Sequence, residues 1–90
     1  MTFRTTKYQN NGNLAVIAFE DDGEEYGTLT VNIIPMEEDC FACLDTNNWP
    51  DAEKVAYDLG ARPTGEYVQS GFCRYPIYNF LLADIPALED

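Results

Sequence analysis

Residues 45–60 read DTNNWPDAEKVAYDLG and contain the clearest helical period of the chain. Apolar side chains recur there at the i, i+3, i+4 and i+7 spacing of an amphipathic helix, at Ala52, Val55, Ala56 and Leu59. Asn48 is a good N-cap because its side-chain oxygen can accept a free backbone N–H of the first turn. Gly60 can adopt the left-handed conformation that ends a helix. We therefore predict a helix over about residues 48–60.

The segments before this helix have the patterns of β-strands joined by tight turns. Asn11-Gly12 is a strong hairpin signal, and Asp22-Gly23 gives a second turn of the same chemistry. Pro35 ends the last of these strands, because proline supplies no N–H to a sheet. The three predicted strands are residues 3–8, 14–19 and 26–34, and we expect them to form an antiparallel meander.

Three further strands are predicted around and after the helix, at residues 40–44, 66–69 and 75–83. Pro76 places the last of them at a sheet edge or at a bulge. Residues 62–65 are expected to form a loop, and residues 84–90 a tail without regular structure. The expected core residues are Leu14, Val16, Leu29, Val31, Ile33, Trp49, Val55, Leu59, Ile77 and Phe80.

The predicted fold class is α+β, in a single domain of residues 1–90. It consists of a mostly antiparallel, twisted sheet of five or six strands, with the one helix packed on one face of the sheet.

The charge balance is the most unusual global property of the sequence. Sixteen acidic residues face five basic ones, which gives a formal net charge of −11, and histidine is absent. Between Lys7 and Lys54 there is no basic residue, whereas eleven acidic residues fall there. Because binding to phosphates requires lysine and arginine, this balance argues against direct nucleic-acid binding and against an anionic membrane surface. It favours a basic protein surface as the partner.

The acidic residues form three blocks. The hairpin block is Glu20, Asp21, Asp22, Glu24 and Glu25; the loop block is Glu37, Glu38 and Asp39; the helix block is Asp51, Glu53 and Asp58. Strand parity places the hairpin block at the same end as the loop before the helix, and the loop block at the other end. One interpretation is a solvated surface that promotes solubility. The other is nucleic-acid mimicry, in which carboxylates offer a basic groove a substitute for phosphates.

The loops on either side of the helix offer a second candidate site. Their polar side chains have local explanations in helix capping and turn formation. They also predict a small-molecule site, because loops that converge at the end of an element often bind ligands. The residues of this alternative ligand site are Asp45, Asn47, Thr64, Ser70 and Arg74.

Catalytic and metal-binding patterns are weak, and we expect neither an enzyme nor a cofactor. Cys40 and Cys43 have the C-x-x-C spacing, but positions i and i+3 of a strand point to opposite faces. Cys73 adds only one further sulfur, so buried apolar cysteines are the preferred interpretation. Histidine catalysis is excluded, and no glycine-rich phosphate loop is present.

Segments 45–48 (DTNN), 63–65 (PTG) and 69–78 (QSGFCRYPIY) resemble a family of small uncharacterised proteins carried by phages and integrative elements of gut bacteria. Segments 11–15 and 29–32 are similar too, so the resemblance covers most of the chain. It implies a genomic setting and no catalytic residues. Small acidic proteins from that setting resemble inhibitors of host defence, such as anti-CRISPR and anti-restriction proteins.

Together these observations predict an inhibitory protein that binds a basic nucleic-acid-handling complex by acidic mimicry. The alternatives are a small-ligand binder or sponge, and a non-catalytic accessory protein of a mobile element. No stretch has the length and apolarity of a membrane span or the pattern of a signal peptide, so we expect the cytoplasm of a bacterial host cell. Three cysteines fit a reducing compartment.

Overall fold

The computed structural model describes residues 1–88 of the chain and shows two antiparallel sheets with one short helix. In chain order the elements are β1 (Thr2–Lys7), β2 (Leu14–Phe19), β3 (Glu25–Thr28), β4 (Thr30–Val31), β5 (Phe41–Leu44), α1 (Ala52–Asp58), β6 (Arg62–Ser70) and β7 (Cys73–Asn79). The α+β class is confirmed. The expected strand count was wrong, since residues 1–88 form seven strands in two sheets.

The first sheet is the predicted meander, with strand order β1-β2-β3. β1 and β2 are antiparallel, with Thr2 opposite Phe19 and Lys7 opposite Leu14. Gly12 has a φ of 75° in the turn between them, the positive value that the Asn-Gly pair predicts.

The third predicted strand is broken at Leu29, and this break divides the strands between two sheets. β3 pairs with β2 in the first sheet, whereas β4 pairs with β5 in the second. Leu29 is 0% exposed; its N–H donates to Val16 (2.8 Å) and its carbonyl accepts from Asp45 (2.9 Å). Its backbone thus joins both sheets. Alternation over residues 26–34 predicts extended chain but does not specify the pairing partners.

The second sheet has strand order β4-β5-β7-β6 and also differs from the predicted boundaries. The expected loop at residues 62–65 is part of β6, and the last strand ends at Asn79 instead of residue 83. The register of β6 against β7 shifts between Pro63 and Tyr67, opposite Tyr78 and Pro76. The irregularity that Pro76 indicated is therefore present; its extra residues, 64–66, lie in the edge strand β6, whereas Pro76 itself lies in the central strand β7.

The helix is shorter than predicted, because residues 48–51 turn before it instead of joining it. It spans Ala52–Asp58. Asn48 is not its N-cap; the side-chain amide donates to Asp45 (2.8 Å), and Asp51 occupies the cap position without a capping hydrogen bond. Gly60, with a φ of 104°, follows the helix end as predicted.

The core lies between the two sheets and the helix, and small side chains allow these elements to approach closely. Its buried cluster contains Val16, Leu29, Ala42, Leu44, Ala52, Ala56, Ala61, Tyr78 and Phe80. Of the expected core residues, Leu14, Trp49, Val55 and Leu59 are only partly buried against this cluster. Three expected core residues lie outside the cluster and are half-buried: Val31, Ile33 and Ile77. Val31 and Ile77 pair with Cys43, which places them on the face of the second sheet that points away from the cluster.

The end of the described chain returns to β1. Thr5 donates to Pro86 (2.9 Å) and accepts from Leu88 (2.7 Å), so the expected irregular tail contains a short parallel bridge. Residues 89–90 of that predicted tail lie outside the described part.

Candidate functional site: an acidic end with an aromatic cleft

The hairpin block lies on the tight turn between β2 and β3, where all five of its carboxylates are exposed. Two backbone hydrogen bonds hold the turn. The N–H of Glu20 donates to the carbonyl of Glu24 at 2.7 Å, and the N–H of Gly23 donates to the carbonyl of Glu20 at 2.9 Å. Asp21 pairs with the α-amino group of Met1 at 2.7 Å, and this hydrogen bond lowers the pKa of its carboxyl. The turn therefore concentrates negative charge at one end of the first sheet.

An open cleft of about 630 Å³ lies beside this turn, between β3 and the loop before the helix. Its lining residues are Tyr26, Gly27, Thr28, Thr30, Asp45, Asn48, Trp49, Pro50 and Asp51. The rings of Tyr26 and Trp49 meet edge to face, with centroids 5.3 Å apart and planes at 74°. Tyr26 follows the hairpin block directly in the chain, which places the cleft next to the turn. We call the hairpin block, Asp45 and Asp51 together the acidic end.

The two carboxylates of the cleft are held differently. Asp45 accepts hydrogen bonds from the backbone N–H (3.3 Å) and the side-chain amide (2.8 Å) of Asn48, which fix its orientation. Asp51 is exposed and makes no capping bond to the helix that follows. The cleft thus presents one oriented and one unconstrained carboxylate.

The loop block is also exposed but lies at the opposite end of the first sheet, as strand parity predicts. The chain leading to it is held by Asn13, whose amide donates to the carbonyl of Ile34 (2.7 Å) and accepts from the N–H of Met36 (3.0 Å). Asn13 precedes β2, whereas the hairpin block follows it, and six residues of strand span about 17 Å. The two blocks therefore do not form one compact surface.

Two members of the helix block have partners within the protein. Glu53 accepts a hydrogen bond from the Tyr78 hydroxyl at 2.9 Å, and Asp58 pairs with Lys54 at 2.8 Å. Burial, with a smaller contribution from Glu53, raises the pKa of Tyr78 to about 12. Only Asp51 of this block lines the cleft.

The five residues of the alternative ligand site are not brought into one pocket. Asp45, Ser70 and Arg74 share one end of the second sheet, because β5 ends where antiparallel β7 begins. Of the five, only Asp45 lines the cleft. Arg74 lies 4.0 Å over the Tyr67 ring, Thr64 donates to the backbone of β7 at 2.9 Å, and Asn47 is exposed.

The three cysteines are free thiols at separate positions in or next to the second sheet. Cys43 is buried, and burial raises the pKa of its thiol. Cys40 precedes β5, and Cys73 begins β7. Over residues 1–88, no group of three or more cysteine, aspartate or glutamate side chains is arranged to hold a metal ion.

The sequence did not predict the pairing of Tyr26 with Trp49, because Trp49 was expected in the core. The available signal was composition: Glu25 precedes Tyr26, and Asp51 follows Trp49 by two positions. Aromatic faces and carboxylates both attract cations, so this proximity in sequence was a signal for a cation-binding surface.

The fold and the acidic end define a small, strongly acidic α+β protein with two antiparallel sheets. Residues 2–89 match the family described as "Domain of unknown function (DUF4313)", and the chain belongs to this family. That agrees with the resemblance to uncharacterised proteins. No curated protein and no solved structure matches the chain. None of the helical structure in residues 1–88 has the length and apolarity needed to cross a membrane.

Proposed function

We propose that this protein is a non-catalytic inhibitor that binds a basic, nucleic-acid-binding surface of a host defence complex through its acidic end. The observation that carries the proposal is the hairpin block, where five exposed carboxylates occupy six residues beside a cleft with two more. In this proposal the carboxylates replace phosphates on the partner, and the protein acts in the host cytoplasm.

The distribution of cationic groups supports an acidic end in which Asp21 alone is paired among the described residues. Within residues 1–88 the two ion pairs are Met1 with Asp21 and Lys54 with Asp58. Arg62 and Arg74 instead lie over tyrosine rings. No lysine or arginine side chain from residues 1–88 lines the cleft. A concentrated negative field of this kind accelerates encounter with a basic surface.

The resemblance to proteins of phages and integrative elements supports the kind of partner. A nuclease or surveillance complex has a basic channel for its nucleic acid, and a protein that fills this channel with carboxylates blocks it. The same contacts explain why the inhibitor needs no catalytic residues of its own. Binding is expected to weaken as salt rises, because exposed charges are screened.

The test compares two charge-reversed variants with equal changes in net charge. One variant carries Asp22→Lys, Glu24→Lys and Glu25→Lys in the hairpin block; its matched control carries Glu37→Lys, Glu38→Lys and Asp39→Lys in the loop block. Proteins captured from host lysate by the unmodified chain are assayed for binding of DNA or guide RNA at increasing inhibitor concentration.

We expect the unmodified chain to displace nucleic acid, the hairpin variant to lose at least about tenfold in potency, and the control to stay within about threefold. Retained inhibition by the hairpin variant would contradict the proposal. So would an equal loss in both variants, since that outcome indicates net charge alone.

A second candidate function is small-ligand binding in the cleft. Its volume of about 630 Å³ is typical of ligand pockets, and Asp45 from the alternative ligand site lines it. Thermal-shift measurements with pools of nucleotides and signalling metabolites distinguish the two functions. A ligand at a hundred times its Kd adds about 2.7 kcal/mol of stability, so the absence of any shift would rule against this candidate.

A further inference from the structure

We infer that the cleft is the receptor for an arginine side chain of the partner protein. This inference rests on the proposed function and names the contact that anchors it. The occupant is a guanidinium group, held between aromatic faces and carboxylates at the acidic end.

The aromatic part of the receptor is already assembled. Trp49 is half-buried and Tyr26 is 57% exposed, so both rings are anchored in the fold and still reachable from solvent. Gly27 lies beneath the indole, where an added Cβ would come 3.7 Å from the Trp49 ring. The ring therefore packs directly on the backbone of β3. A planar guanidinium stacks on such faces, and the attraction grows as water is excluded.

The carboxylates supply the directional contacts. Asp45, which precedes Trp49 in the chain, is oriented by two hydrogen bonds from Asn48. Asp51, which follows Trp49, is exposed. Arginine presents five N–H donors in a rigid fork that matches carboxylate oxygens, whereas lysine presents a compact point charge. The combination of ring faces with carboxylates therefore favours arginine.

The chain itself provides two examples of an arginine stacked on an aromatic ring. The Arg62 guanidinium lies 3.9 Å over the Tyr57 ring, and that of Arg74 lies 4.0 Å over the Tyr67 ring. By contrast, the lining of the cleft pairs Tyr26 with Trp49 and contains no lysine or arginine from residues 1–88. The missing cation is the one that a basic partner supplies.

Binding can be measured directly, because Trp49 is the single tryptophan of the chain and its fluorescence reports on the cleft. The probe is N-acetyl-arginine methylamide, titrated at constant ionic strength. The control ligand is the citrulline analogue, which has the same shape but a neutral head group. We expect a saturable change with the arginine compound and none with the citrulline compound over the same range.

Two variants and a matched control locate the contacts. Asp51→Asn and Tyr26→Leu should each raise the Kd of the arginine probe by about fivefold or more, while Glu38→Gln in the loop block should leave it unchanged. Circular dichroism verifies that each variant is folded. No saturable signal, equal signals from both compounds, or an unchanged Kd in Asp51→Asn would overturn the inference.

The outcome is separable from that of the proposed function. If the arginine probe does not bind but the hairpin variant still loses inhibition, only the cleft inference fails. If the probe binds as expected but charge reversal of the hairpin block leaves inhibition intact, the cleft recognises arginine and the mimicry proposal fails.

Discussion

Tyr78 connects the core to the surface through one hydroxyl. Its side chain is 5% exposed within the buried cluster, and its hydroxyl donates to Glu53 on the helix at 2.9 Å. Burial is the main reason that its pKa is raised from 10.0 to about 12, because the phenolate would lose its hydration. Glu53 raises the pKa further, because its carboxylate accepts a hydrogen bond that only the protonated hydroxyl can donate and because its negative charge disfavours a phenolate beside it.

Stability should therefore fall in alkaline solution through this residue. The unfolded tyrosine loses its proton near pH 10, before the folded one does, so the contribution of Tyr78 is complete below pH 10 and is lost as pH rises through about 12. Tyr78→Phe removes the hydrogen bond, which should cost about 1 kcal/mol at pH 7. The substitution also removes this pH dependence. The difference in free energy of unfolding between the variant and the unmodified protein should therefore narrow between pH 10 and 12.

Urea unfolding at pH 7, 9 and 11 measures this gap. Tyr57→Phe, at an exposed tyrosine of the helix that carries Glu53, is the matched control and should keep the alkaline loss of stability of the unmodified protein. A gap between Tyr78→Phe and the unmodified protein that stays constant across these pH values would show that Tyr78 does not titrate differently in the two states.

At the level of elements, the stability of the short helix depends on how its C-terminal end packs against the rest of the protein. Seven residues are too few for a helix to be stable on its own, so tertiary contacts must hold it. Ala52 and Ala56 pack into the core, and the chain turns at Gly60 against residues 82–83. A Cβ on Gly60 would lie 3.0 Å from the Ala83 Cα, so backbone would have to move.

Gly60→Ala should consequently destabilise the protein more than Gly12→Ala. Both glycines have positive φ, at 104° and 75°, so each substitution carries a backbone cost of about 1–2 kcal/mol. Apart from its chain neighbours, no atom of residues 1–88 lies within 4 Å of a Cβ added to Gly12, whereas a Cβ on Gly60 meets the backbone of residues 82–83. We expect Gly60→Ala to cost at least about 1 kcal/mol more, or about 4–8 °C in Tm.

Thermal unfolding of the two variants under the same conditions checks this difference. Equal shifts in Tm would mean that residues 82–83 move aside without cost and do not hold the end of the helix.

At the level of the whole molecule, the net charge of −11 opposes folding. Fourteen of the sixteen acidic residues lie within residues 1–88, where the structure shows two ion pairs. Self-repulsion of this kind favours the expanded chain. Salt screens it, since the Debye length falls from about 10 Å at 0.1 M to about 3 Å at 1 M.

We therefore expect the free energy of unfolding to rise with NaCl, on the order of 1 kcal/mol between 0.05 and 0.5 M. Urea titrations at both salt concentrations measure it. A variant with Glu37→Gln, Glu38→Gln and Asp39→Asn should gain less from salt because it carries less charge. Stability that is unaffected by salt, or that falls with it, would contradict this account.

Several features of the fold and site were predictable because they depend on neighbouring residues alone. The Asn11-Gly12 turn and the helix end at Gly60 follow from which residues tolerate positive φ. The bulge follows from the missing N–H of Pro76. The exposure of all three acidic blocks follows from the cost of burying a carboxylate.

Other features depend on contacts between residues far apart in the chain, and only the tertiary structure decided them. The break at Leu29 arises because its N–H pairs with Val16 and its carbonyl with Asp45, and alternation of side chains carries no information about such partners. The cleft arises because Tyr26 meets Trp49 across 22 intervening residues. The sequence by itself determined the turns, the strand patterns and the charge, because these depend on the properties of neighbouring residues. Long-range packing divided the strands into two sheets and assembled the aromatic cleft beside the carboxylates.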